Sequence, residues 1–122
     1  MKAQHAETYW RATAAIALAV GVTAAFAPRV LARGYGLPQA EMTGSAQFGW
    51  RLFGVRTAII GAAAFTGSHQ ARRVIVPVQI LDQTIFAAAL LPGSIPRRTA
   101  ILAISTSATI IAGALLADRA AN

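Results

Sequence analysis

The chain contains no cysteine, which removes disulfides, thiolate metal sites and cysteine nucleophiles while leaving the redox compartment open. It is also poor in charge, above all in acid. Four Asp and Glu stand against eleven Lys and Arg, and charged residues make up 12% of the 122 positions, about half the ~25% of an ordinary soluble domain. So few charges cannot cover a globular surface, and part of that surface must face something other than water. Aromatic residues are scarce too, at 7%, so alanine and aliphatic chains carry most of the 56% hydrophobic content.

One domain is expected from this length. The mean hydropathy of +0.54 and the net charge of +7 then need reconciling. A basic protein suggests nucleic acid, but here the bases form no patch. Arg11, Arg29, Arg33, Arg72, Arg73, Arg97, Arg98 and Arg119 bracket apolar runs, and Arg51 and Arg56 lie inside one. That placement suits lipid head groups and helix ends, and argues against a nucleic-acid partner. His5 and His69 are far apart with no further ligand beside them, so neither a metal nor any other cofactor is expected.

Four apolar runs, each near the ~20 residues of a bilayer-spanning helix, cover Tyr9–Ala27, Ser45–Thr66, Arg73–Leu91 and Arg97–Ala117. None alternates with period two. The expected fold is all-α: an integral membrane four-helix bundle in one domain, with antiparallel neighbours and short loops. A soluble Ala-rich bundle is the alternative, but it needs a polar stripe on each helix, and these runs lack one. The first run also resembles a secretory signal with Ala25-Phe26-Ala27 at its end, although Glu7 in the basic region and Pro28 after the cut oppose cleavage.

Pro28–Gly44 is the longest connection, with a short interfacial helix expected at Pro28–Arg33; Gly67–Ala71 and Pro92–Pro96 are the others. Both termini then share one side. Lys2, Arg11, Arg72, Arg73 and Arg119 fall there and Arg29, Arg33, Arg97 and Arg98 opposite, a small bias towards cytoplasmic termini. Tyr9, Trp10 and Trp50 are expected in the interfacial aromatic belt. Gly54 with Gly61, and Ala58 with Ala62, are expected to let helices approach closely.

The informative residues are the polar ones inside the runs. A charge at membrane depth costs about 3 kcal/mol on insertion scales, so such groups face the bundle interior and find partners. Arg56 and Asp82 each lie at the middle of their run, and antiparallel neighbours put them level, so an ion pair is predicted. Gln79, Asp82 and Gln83 share a helix face, as do Gln47 and Arg51. Arg51 and Arg56 are roughly 140° apart around their helix. Ser105 and Thr109 form a stripe expected to complete the hydrogen bonding. Pro77 inside the third run predicts a bend and a freed Arg73 carbonyl. Two Arg against one Asp leave a surplus cation, which would snorkel out, pair with Glu7 or Glu41, or hold an anion.

The segment AFAPRVLARGYGLP, then FGWRLFGVRTAIIGAAAF and an acid in the third run, resembles small bacterial four-helix membrane proteins of the DoxX-like group, over Phe26 to Leu91. The shared motif is Arg51-Leu52-Phe53-Gly54-Val55-Arg56, with Asp82 as the acid. The resemblance implies a multi-pass protein of the bacterial inner membrane and a four-helix fold. It implies no reaction, because the most similar members are domains of unknown function. Some DoxX-like proteins look like redox-associated partners of larger complexes, which a chain without cysteine does not support.

Three functions follow from the polar core. The first is an accessory subunit or a module binding lipid or an anionic ligand, alone, as a homo-oligomer or in a larger membrane complex. The second is a membrane-embedded isomerase, cyclase or hydrolase for a lipophilic small molecule, with Asp82 as general acid or base and Gln79 and Gln83 orienting the substrate. It requires a cavity that reaches Asp82. The third is a small dimeric proton-coupled transporter, which a permanently paired Asp82 disfavours.

Overall fold

The computed structural model describes all 122 residues and is all-α, with no strand. Four long helices, α1 (Lys2–Phe26), α3 (Gly44–Phe65), α4 (His69–Ala88) and α5 (Arg97–Ala121), pack around one another; α2 (Pro28–Gly34) and a 3₁₀ turn at Gln39–Glu41 fill the first connection. α1 packs chiefly on α3 and then α5, α4 packs on α5, and the α3–α4 seam is the loosest of the four. Both chain ends and the α3–α4 turn lie at one end of the bundle. The α2 region and the α4–α5 loop lie at the other, where Ala32, Leu37 and Met42 form a small core against Trp50 and Ile95.

Helix ends follow local chemistry. Gly67, at φ 99°, closes α3: its N–H donates to the Ala64 carbonyl and that of Ser68 to Ala63. This paired pattern needs a left-handed residue, which glycine supplies without a Cβ penalty. Ser68 then caps α4 by accepting from the Ala71 N–H, so the turn, Thr66 to Ser68, is only three residues long. α4 therefore begins at His69, four residues before its apolar run, and stops at Ala88, because Pro92 disfavours a helical conformation just before it. α1 begins at Lys2 and α5 runs on to Ala121 because the flanking residues contain no Gly or Pro; hydropathy marks the apolar part of a helix, not its ends. Pro77 is accommodated within α4 on its exposed side.

The packing is small inside and large outside. On α3, Gly54, Thr57, Gly61 and Ala64 make the buried stripe, while Phe48, Leu52, Val55 and Ile59 make an exposed one. The buried apolar set is mostly alanine, and Ile75 and Thr99 are the largest side chains fully enclosed. Small residues bring backbones together: a Cβ on Gly61 would lie 2.7 Å from the Leu18 nitrogen, and those on Gly21 and Gly54 would overlap the facing helix. Ala58 faces Gly21 in this seam, but Ala62 is exposed, since it lies on the other side of α3 from Gly61. Two helices, α1 and α5, are long and apolar enough to cross a membrane.

Candidate functional site

Arg56 sits mid-way along α3 on the side facing α4, and Asp82 lies level with it. The Arg56 Nη2 donates to Asp82 Oδ2 at 2.7 Å, with Asp82 nearly enclosed (side chain 12% exposed) and Arg56 half outside (44%). Arg56 also lies over the Phe53 ring, 5.4 Å from its centroid. Arg51 turns the other way, towards α1, and its Nη1 donates to the Ala25 carbonyl at 2.9 Å. The 140° between the two arginines thus serves two neighbouring helices. The surplus cation is not in the interior: it caps the last turn of α1, where carbonyls lack partners and the helix dipole favours positive charge.

The Gln79-Asp82-Gln83 face is turned towards its neighbours. Gln83 Nε2 donates to the Ile104 carbonyl of α5 at 3.1 Å. Ser107 Oγ donates to Gln79 Oε1 at 2.8 Å and more weakly to the Gln79 carbonyl at 3.3 Å, with both residues buried. Ser105 and Thr109 do not join this core: both are exposed, and their hydroxyls donate to the Ile101 and Ser105 carbonyls of their own helix. The inward face of α5 is the one with Ser107 and Ile110, and 105 and 109 lie off it. Gln47 is also elsewhere, donating to the Met42 carbonyl beside the α2 connection.

Next to the Gln79–Ser107 pair lies a cavity of about 390 Å³, within the roughly 300–1,000 Å³ of ordinary small-molecule sites. It runs along α3 from Ser45 to Thr57, about 18 Å at 1.5 Å per residue. The loose α3–α4 seam leaves this space. Tyr35, Trp50, Phe53 and Phe86 are the aromatic residues in its wall. Tyr35 is held there by donating to Thr106 Oγ1 at 2.9 Å. Thr57, Gln79 and Ser107 line the deep end, and no charged side chain lines any part. Neither Asp82 nor any arginine borders it, and the other large cavity does not reach Asp82 either.

No protein-family model, curated protein or solved structure gives a significant match to this chain. No three side chains able to hold a metal ion converge.

A second polar cluster closes the opposite end. Arg72 Nη1 and Nη2 donate to both oxygens of Glu7 at 3.0 and 2.9 Å, its Nε donates to the Ala64 carbonyl, and its guanidinium lies 5.3 Å from the Trp10 ring centroid. One side chain thereby ties α4 to α1 and to the end of α3. Trp10, expected at the interfacial belt, is instead 6% exposed and part of the core with Ile75 and Ile110, because Arg72 covers its face. Glu7 precedes the apolar run, and the hydrogen bonds from Arg72 hold its carboxyl below the ordinary value of 4.5; Arg11, 3.3 Å away, adds a smaller pull. A lowered folded-state value means that this stabilisation is complete above pH 4.5 and is lost as pH falls through the lowered value. The melting temperature should therefore drop below pH 4.5, and Glu7→Gln should flatten that step when thermal unfolding is followed across acid pH.

Proposed function

We propose that this protein is a multi-pass membrane binding module, with all four long helices crossing the bilayer and a lipophilic small molecule held between α3, α4 and α5. The observation that carries the second half is the cavity, apolar along its length and bounded by buried, uncharged polar groups at its inner end. Four crossings are supported by the distribution of side-chain size. Water would favour large apolar chains inside, whereas α3 encloses Gly54, Thr57 and Gly61 and exposes Phe48, Leu52 and Ile59. α4 behaves alike, with Gln79 and Asp82 inward and Ile80, Leu81 and Ile85 outward. The DoxX-like resemblance favours the same layout, in a bacterial inner membrane. An anionic ligand is disfavoured because Arg51 and Arg56 are engaged outside the cavity. Catalysis by Asp82 is disfavoured because neither large cavity reaches it.

Trp50 lines the cavity and Trp10 does not, and they are the only two tryptophans. In the Trp10→Phe protein reconstituted in phospholipid nanodiscs, a bromine-terminated alkane should quench Trp50 saturably. Filling the space with Ala103→Phe should remove the saturable part. Quenching that rises without saturation and ignores Ala103→Phe would mean that bromine reaches Trp50 only from bulk lipid, and the cavity would not be a binding site.

A further inference from the structure

The inner end of the cavity carries more hydrogen-bonding capacity than the protein uses. Mid-helix threonines normally return their hydroxyl to a carbonyl one turn back. Thr8, Thr23, Thr106 and Thr109 all do so, each at 2.9 Å or less. Thr57 does not: its Oγ1 is buried and has no partner, a state it shares with Thr99 in the first turn of α5, but only Thr57 lines the cavity. A buried hydroxyl without a partner costs about 1–3 kcal/mol, so an interior position that keeps one calls for an explanation. Gln79 is equally enclosed, and Ser107 takes its Oε1. With the amide oriented in this way, the Nε2 hydrogens are left to donate to a cavity occupant. Ser107 thus holds the Gln79 side chain against α5, with Oε1 engaged and Nε2 unengaged.

Depth adds a second constraint. Thr57, Gln79 and Ser107 sit near the middles of their helices, whereas the Ser45 end of the cavity lies at a helix start. An ordinary membrane lipid places its polar head at the interface and its hydrocarbon at the centre, which would set methylenes against the polar groups here. The matching occupant carries an oxygen where lipid carries none.

We propose that the cavity selects an uncharged lipophile with a carbonyl or hydroxyl oxygen, bound oxygen-inward, which accepts from Gln79 Nε2 and pairs with the Thr57 hydroxyl. Carboxylates, phosphates and ammonium groups are excluded because the lining offers no counter-charge. This inference rests on the reading of the cavity as a binding site.

The test uses the Trp10→Phe protein in nanodiscs and three bromine-terminated probes of equal chain length: a methyl ketone, an alkane and a carboxylate. Oxygen-inward binding leaves the bromine towards Trp50. The ketone should half-quench at about tenfold lower membrane fraction than the alkane, as two net hydrogen bonds provide, and the carboxylate should show no saturable quenching. Gln79→Leu should cut the ketone preference to about threefold. Thr57→Val should cut the ketone preference by about threefold to fivefold while leaving the melting temperature unchanged or raised, since it removes an unpartnered hydroxyl; a purely structural threonine would not behave so. Equal half-quenching by ketone and alkane in the parent protein, a preference that survives both substitutions, or saturable carboxylate binding would overturn the proposal. Should Gln79→Leu fail to fold, Thr57→Val decides alone. If no probe saturates, it is the binding-site reading that fails.

Discussion

Replacing Gly54 by valine is expected to abolish the folded bundle. The closest helix contact in the molecule is α1 against α3, and its seam is made of backbone on backbone. A Cβ on Gly54 would lie 2.6 Å from the Gly21 carbonyl oxygen and 2.8 Å from the Ala24 carbonyl carbon, and it would also overlap the Ala25 nitrogen. None of these atoms can rotate away, as the end of a flexible side chain could. Relief requires separating the helices, which forfeits the contacts of Ala14, Leu18, Ala24 and Gly61 along the same seam. Overpacking a core costs about 1–3 kcal/mol when side chains can adjust, and occasionally more; here even Gly54→Ala should reach the top of that range. Gly49→Ala, on the same helix but with nothing within 4 Å, is the control and should be tolerated. Thermal or denaturant midpoints in detergent, followed by far-ultraviolet circular dichroism, distinguish the two. A Gly54→Val protein that melts within a few degrees of the parent would show that α1 and α3 are not held at this separation.

The same stripe explains how much of the site the sequence made legible. Matched depth alone predicts the Arg56–Asp82 pair, because length and loop spacing set which residues are level. Gly54 and Gly61, seven apart, identify the interior face of α3. Thr57 lies between them on that face, so an inward threonine was readable, yet the neighbouring charge of Arg56 is the stronger signal and draws attention to the wrong side of the helix. On α5 five consecutive hydroxyl-bearing or small residues, Ser105 to Thr109, leave the facing ambiguous. Ser105 and Thr109 are as plausible as Ser107 until Ile110 and Ala114 are seen to be buried beside it. Spacing within one helix does not reveal which neighbour lies opposite, and that fixes the roles of Arg51 and Arg72. Both go to carbonyls at helix ends, Ala25 and Ala64, which have no sequence signature. The cavity was not legible at all. It follows from the loose α3–α4 seam, a property of how four helices close a ring rather than of any one segment.

Removing Asp82 should be the most damaging single change in the polar core. The bond to Arg56 is short and charge-assisted. In a membrane, the exposed half of Arg56 faces hydrocarbon rather than water, and from the middle of α3 the side chain is too short to reach either interface. Asp82→Ala therefore strands a guanidinium that cannot shed its proton, at a cost of about 3 kcal/mol on insertion scales and up to ~5 kcal/mol by analogy with broken buried pairs. Arg56→Met strands a carboxyl instead, which can take up a proton and become neutral, so its loss should be smaller. Replacing both, Arg56→Met with Asp82→Leu, removes the charge problem and should recover most of the stability lost by Asp82→Ala. This ordering is measurable as unfolding midpoints in bicelles, and it discriminates between environments. In water a half-exposed pair contributes only about 0–1 kcal/mol, and the three variants would then differ little. A large Asp82→Ala defect that the double substitution rescues would place Arg56 in hydrocarbon and identify the pair as a device that sets the register of α3 against α4, beside the cavity that this seam leaves open.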